Sequence, residues 1–378
     1  MRIGIPRETK DGERRVGMTP DGVRTLAAGG HALVVERGAG AGVGFADKDY
    51  AVAGATITGD RGAVYACELV VKVKELQPAE WPLLVPGSTV FGFSQLSRDR
   101  ALQDAVLGAG VRMIAYETVR DASGALPLLV PMSRIAGRLA PFAAAMALGT
   151  DRGGSGVLLT GIDEVPGAAV VIVGAGSVGG EAARVAAALG CRVTVFGRGA
   201  KRLDALACEL AERRTPVECV ALDERSGARF AAAVQSADVV IGAVLDPGRL
   251  SPKLLPRSLV AAMRRGSAIV DVGIDQGGIA ETSRLTSISD PTYVEEGVVH
   301  SCVPNLPALV ARTASLALVA ATLPAIRALA DRGVAAALAA DAGLAAGAMI
   351  WDGHVVHAGL ARDSGRTTAP PPWQARAA

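Results

Sequence analysis

Aromatic residues are scarce in this chain, at 3% of 378 residues, whereas half of all residues are hydrophobic. The hydrophobic share is mostly Ala, Val and Leu beside abundant Gly, which fits a soluble α/β enzyme. The formal charge is only +2. So small an excess gives no sign of nucleic acid or of an acidic partner. Five cysteines, Cys67, Cys191, Cys208, Cys219 and Cys302, form no CxxC pair and no metal-ligand spacing. Reduced thiols and a cytoplasmic location are the expectation. Four histidines include no HExxH pattern; His354 and His357 lie three apart in a short strand-like run, and no metal site is expected. The opening MRIGIPRETK reads as a strand and a charged turn, not a signal peptide. No apolar run has the length and continuity expected of a bilayer span, so no membrane association is expected. There is no internal repeat.

What is present is alternation. A chain of this length suggests two domains. Residues 1 to about 130 alternate strand and helix: RIGIP, HALVVE, ELVVKVK, TVFGFSQ and RMIAYE read as strands, and a helix starts at Thr19-Pro20 and runs to about Ala28. That pattern predicts a parallel sheet with helices. PMSRIAGRLAPFAAAMAL reads as a long connecting helix. Later strands are VECVAL, DVVIGAV and AIVDVG. From Leu306 to Ala340 the chain becomes helical again, with Pro324 expected to interrupt it. The expected architecture is α/β, two Rossmann-like doubly wound domains with the substrate domain discontinuous. The substrate domain takes 1–132 and 306–362, the dinucleotide domain 133–305, and the Pro-rich tail 363–378 is expected to be mobile.

Residues 169 to 202 carry the most information. AVVIV, GAGSVG, an alanine-rich run and RVTVF read as strand, glycine turn, helix and strand. Gly174 permits the tight turn, Gly176 lets the backbone approach a pyrophosphate, and Gly179 lets the helix pack on the sheet. Ala175, Ser177 and Val178 complete the turn, with phosphate expected on the N–H groups at the helix start. An NAD site ordinarily places Asp or Glu at the end of the second strand to hold the ribose 2′-OH. Here no acidic residue occurs between Ala182 and Leu203; Gly197 stands in that place, followed by Arg198, Lys201 and Arg202. Losing the carboxylate relieves repulsion with a 2′-phosphate, and an arginine can grip that phosphate in bidentate fashion. NADP(H) is therefore favoured, with NAD(H) possible on the alternative that these cations form a solvated loop.

Several segments together resemble one family, alanine dehydrogenase and the related nucleotide-binding subunit of nicotinamide nucleotide transhydrogenase. They include GIPRETKDGERRVGMTP, ERGAGAGVGFADKDY, VVKVKE, AYETV, PLLVPMSRIAGRLA, VIVGAGSVG, VIGAVLDPG, VDVGIDQGG, CVPNLP and ATLPAIRALADRG. The resemblance implies a two-domain fold with the active site in the cleft, a homohexamer, and reversible oxidative deamination of L-alanine to pyruvate and ammonia. The transhydrogenase branch is the lesser expectation, since no membrane segment is attached and the length suits the soluble enzyme.

The resemblance also assigns roles. Arg15, which the residues alone would leave as a surface arginine, takes the position that grips the substrate carboxylate, with Arg14 solvated. Lys74 takes the position that polarises the substrate oxygen. Strand alternation puts Lys72 and Lys74 on one face, but Lys74 lies nearer the carboxyl end, where α/β ligands bind; Glu75 is a candidate to orient it. Asp275 matches the catalytic aspartate, with Asp271 its in-strand competitor and the better structural candidate. Asn305 matches a contact to cofactor and substrate, and Ser133 a contact to the cofactor. Val244 and Leu245, ending a strand, are expected to line the nucleotide. Tyr116, Met132 and Leu306 are pocket candidates that serve equally as core. The departure is Gln95, where the family has a proton-shuttling histidine. Glutamine donates and accepts hydrogen bonds but carries no proton near neutral pH. Three readings follow: a slower alanine dehydrogenase with Asp275 and water carrying the protons, a changed 2-oxo or imino acid whose polar group Gln95 reads, or a nucleotide binder without catalysis. With the cationic Gly197–Arg202 segment, the changed acid leads.

Overall fold

The computed structural model describes residues 1–213, 215, 217–223, 226–244 and 250–374. The chain forms two compact units, residues 1–132 with 310–378 and residues 133–309. Among the described residues the strands are, in chain order, Arg2–Ile5 (β1), Ala32–Glu36 (β2), Ala55–Thr58 (β3), Leu69–Val71 (β4), Thr89–Gly92 (β5), Arg112–Ala115 (β6), Ala169–Val173 (β7), Arg192–Gly197 (β8), Glu218–Ala221 (β9), Val239–Gly242 (β10), Ala268–Asp271 (β11), Thr292–Glu295 (β12), Val298–Ser301 (β13), Ala348–Trp351 (β14) and His354–Val355 (β15).

In the first unit the order is β15-β14-β6-β5-β4-β1-β2-β3. β1 to β6 are parallel, and β14 and β15 add an antiparallel edge. In the second the order is β12-β13-β11-β10-β7-β8-β9, all parallel except β12. Both sheets are doubly wound. Strand order reverses between β1 and β4 in one and between β7 and β10 in the other; crevices for ligands open at such points, outside the carboxyl ends of the strands. The central strands read as unbroken apolar runs, such as AVVIV in β7, because helices cover both faces. The helix Pro20–Ala28 starts where Thr19 accepts a hydrogen bond from the Gly22 N–H at 3.3 Å, with Pro20 at its first position.

Four expectations need correction. Pro324 does not interrupt its helix, which runs Ala311–Arg332; the break falls at Gly333, whose φ of 79° ends the right-handed turn. That helix is also long and apolar enough, by length and composition, to span a bilayer, contrary to the reading that no such run exists. Packing accounts for part of its apolarity: Ala314, Leu318, Ile326 and Leu329 are buried, while Leu316 is 46% exposed. The tail expected to be mobile is packed as far as Trp373. Arg366 bonds Gln103 at 3.1 Å, the Ala369 N–H donates to Val355, and buried Trp373 lies against Trp351 with ring centroids 4.9 Å apart. Finally, Leu306 groups with the second unit, because it is buried against Ala136 and Val303 there.

Candidate cofactor and substrate sites

In the second unit the glycine turn follows β7 directly, and the helix Ser177–Ala188 begins three residues later. Gly174 has φ 115°, and a Cβ there would stand 2.4 Å from the Ala243 carbonyl oxygen. A Cβ on Gly179 would meet the Gly174 oxygen at 1.7 Å. At both places only glycine fits. Gly176 has nothing within 4 Å of its Cβ position. The turn therefore closes on itself at its two ends and leaves an open cradle in the middle, where a pyrophosphate would meet backbone N–H groups. Ala175 lies beside Gly197, 3.0 Å from that residue's Cβ position. Arg198, Lys201 and Arg202 are exposed, and their side chains have no hydrogen-bond or ion-pair partner among the described residues. Val244 lies two residues past the end of β10 rather than ending it, and its N–H nitrogen is 3.2 Å from the Cβ position at Gly174. Leu245 lies outside the described residues. Ser133 is half-buried on the helix Val130–Ala147.

Asp271 and Asp275 part ways. Asp271 ends β11, buried, and one carboxylate oxygen accepts from the Ile279 N–H at 2.7 Å and the Ser283 hydroxyl at 2.6 Å. Its other oxygen is buried without a partner, and burial pushes its pKa up. It braces the loop that follows β11. Asp275, in the short turn Ile274–Gln276, is exposed. Asn305 is half-buried and adopts φ 62°.

In the first unit the strand ends at β1 and β4 bring a charged set together. Arg15 is only 2% exposed. Its Nε and one terminal nitrogen bind the two oxygens of buried Glu13 at 2.7 and 2.5 Å, and its other terminal nitrogen lies 3.1 Å from the Met132 sulfur. Lys72 and Lys74 have different surroundings: β4 ends at Val71, its backbone pairing with β5 runs on through Val73, and the chain bends at Val73 and Lys74. Glu8 braces the bend, accepting from the Val73 N–H at 2.7 Å and, more weakly, from the Lys74 N–H at 3.4 Å. Lys72 is fully buried between Glu80 at 2.9 Å and Glu8 at 3.3 Å. Burial works to lower the Lys72 pKa, but Glu8 and Glu80 outweigh it and hold it up; burial in turn raises that of Glu8. Lys74 keeps 8% exposure and stands 3.5 Å from Glu75, which also pairs with Lys10. Burial would raise the Glu75 pKa, yet Lys74 and Lys10 bring it below the ordinary value. Gln95 follows β5, half-buried, with φ 52° and ψ 17°. A non-glycine residue there costs on the order of 1–3 kcal/mol. Tyr116 is core, edge-on to Phe91 and Phe93.

The sequence pointed to none of the carboxylates that hold these residues: Glu8, Glu13, Glu80, and Glu117, which accepts from the Gln95 N–H at 3.1 Å. Glu13 was within reach, two residues from Arg15, and Glu80 lies eight from Lys72; Glu8 and Glu117 act from 64 and 22 residues away.

The two doubly wound units, one bearing a dinucleotide turn and the other a cation set at its switch point, define the chain as a nicotinamide-type oxidoreductase. The alanine dehydrogenase/PNT N-terminal domain matches residues 4–136 and the C-terminal domain of the same family matches residues 140–358. Alanine dehydrogenase of Halomonas elongata is 44% identical over 97% of each chain, and that of Mycobacterium tuberculosis 43% identical over 97% of each. A solved L-alanine dehydrogenase superposes with a TM-score of 0.91 at 44% identity, covering 97% of this chain and 99% of that one. A transhydrogenase from Sinorhizobium meliloti gives 0.80 at 25% identity, covering 94% and 100%. The chain belongs to the alanine dehydrogenase/PNT family. It is an oxidoreductase of the CH–NH2 group that uses a nicotinamide cofactor.

Proposed function

We propose that the protein reduces a small 2-oxo or imino acid to an amino acid, and runs the reverse, with NADPH preferred over NADH. The observation that carries the reading is the first unit's switch point, where a buried guanidinium and a lightly exposed ammonium stand at the strand ends. Arg15 binds the acid's carboxylate; Glu13 fixes its fork so that little side-chain freedom is lost on binding. Lys74 polarises the substrate oxygen or imine nitrogen. Asp275, an exposed carboxylate, takes and returns protons as water or ammonia adds and leaves. Gln95 orients a polar group of the substrate and moves no proton. Asn305 touches substrate and cofactor. Ser133, Val244, Leu245 and the turn 174–179 hold the dinucleotide, whose nicotinamide supplies or accepts the hydride when bound. Arg198 and Arg202, unpaired beside Gly197, support recognition of a 2′-phosphate.

A second reading, ordinary L-alanine dehydrogenase with NAD, is favoured by the 44% identity that runs along nearly the whole chain. A nucleotide binder without catalysis is the third. A spectrophotometric screen following loss of reduced-cofactor absorbance separates them. NADH and NADPH are tested against small 2-oxo acids with ammonium and with primary amines. We expect turnover with a lower KM for NADPH; a clear NADH preference overturns the cofactor assignment, and cofactor binding with no turnover overturns the enzyme. We further propose a cytoplasmic homohexamer. Phe142, Met146, Ile162 and Val165 of the second unit are each more than half exposed, a surface that self-association would cover. A solution mass of one 38.3 kDa chain overturns this.

A further inference from the structure

Gln95 occupies a backbone conformation that glutamine disfavours. Among the described residues five non-glycines have positive φ, and three of them are Asp or Asn, the types that tolerate it. Glutamine is not such a type, so a purely structural turn would select another residue. Its side-chain amide forms no hydrogen bond among the described residues, although the residue is half-buried. The turn is held from outside. Glu117, in the short turn Tyr116–Thr118 that follows β6, faces the end of the neighbouring strand β5. One of its carboxylate oxygens accepts from the Ser94 N–H at 3.0 Å, the Ser94 hydroxyl at 2.7 Å and the Gln95 N–H at 3.1 Å. The other lies 3.2 Å from the same Ser94 nitrogen. Ser94 is fully buried, and Phe93 before it stacks edge-on against Tyr116, the residue before Glu117. The two strand ends are thus locked by rings on one side of Ser94 and by a carboxylate on the other.

We propose that Glu117 is a positioning residue whose carboxylate sets the left-handed turn at residue 95 and so presents that side chain to the bound acid. Three donors converge on one carboxylate, and none belongs to the Gln95 side chain. Position 95 is therefore a socket: a different side chain is delivered along the same direction without rebuilding the loop. Exchange of its chemistry is what changes substrate selection or proton handling, and Gln95 is the specificity-determining residue of the site. This rests on the reading of Gln95 as a substrate contact.

The test combines a double-mutant cycle with crystallography. Glycine needs no clamp at positive φ. With pyruvate, ammonium and reduced cofactor, Glu117→Ala is expected to lower kcat/KM at least tenfold in the Gln95 background. In the Gln95→Gly background the same change costs less than twofold. Equal losses in both backgrounds would mean that Glu117 acts only on general stability, and no loss in either overturns the proposal. Crystal structures of Glu117→Ala and Gln95→Gly report the turn without any substrate. Residue 95 is expected to leave the left-handed region in the first and to keep it in the second; a positive φ retained without the carboxylate overturns the clamp. Where Glu117→Ala does not fold, Glu117→Gln keeps one accepting oxygen and is expected to show a smaller shift of the same sign. If the unaltered protein turns over no acid, the functional reading of Gln95 fails, while the crystal comparison still decides the clamp.

Discussion

Position 95 shows how much one side chain can change. A positioned acid–base group contributes roughly a hundredfold to ten-thousandfold to rate, and Gln95 cannot supply it. Gln95→His is expected to raise turnover of pyruvate with ammonium by about tenfold or more, because imidazole tolerates the left-handed turn. An unchanged rate would show that the substrate itself has moved. Gly197 carries the companion prediction. Gly197→Asp combined with Arg198→Ala restores a ribose-facing carboxylate and removes a cation, so the ratio of kcat/KM for NADPH over NADH should fall at least tenfold. Ala175, 3.0 Å from the new Cβ, must give slightly; a ratio that does not fall sinks the 2′-phosphate assignment. The two lysines separate structure from function. Lys72→Met strands Glu8 and Glu80 as buried, uncompensated charges and should cost about 3–5 kcal/mol in denaturant unfolding. Lys74→Met leaves Glu75 paired with Lys10, so it should cost far less stability, but at least a hundredfold in kcat/KM. Equal stability losses would refute the division.

At the level of elements, the loops after β11 and β13 are held by buried polar groups. His300 in β13 is fully buried; its ring nitrogens bond the Thr282 hydroxyl at 2.8 Å and the Val298 carbonyl at 2.9 Å, and it stacks on Tyr293. Burial lowers its pKa below the ordinary 6.5. The folded protein therefore takes up its proton later than the unfolded chain as pH falls. The stability this group provides is complete above about pH 6.5 and drains away as pH falls through the folded value. Tm should drop between pH 7.5 and 5.5, and His300→Gln should flatten that slope; an unaltered slope would remove His300 from the account. Elements with strong local signals were legible from sequence. β7, its glycine turn and the following helix lie where their residues place them, because tight turns and apolar periodicity are local properties. The hairpin β12–β13 was not foreseen, nor was the hold of Glu8 on the chain just after β4, because Glu8 acts there from 65 residues away.

For the molecule as a whole, the C-terminal segment closes the first unit. Trp373 is 7% exposed against Trp351. Trp373→Ala should cost about 3 kcal/mol, read as a lower denaturation midpoint; no change would mean that the tail packs nowhere. Composition marked this segment as mobile because Pro-rich stretches lack periodicity, whereas hydrogen bonds from Arg366 and Ala369 and the Trp373 contact set it against the first unit.

The sequence by itself determined the class of fold, the dinucleotide turn with its missing carboxylate, the family, and the replacement at position 95, since each is written in residue type and spacing. Tertiary structure alone decided which lysine is structural, what braces the bend at Lys74, and what holds Gln95 in its turn. In each case a carboxylate from another part of the chain does the work, and such a partner is specified by packing, which no local spacing records.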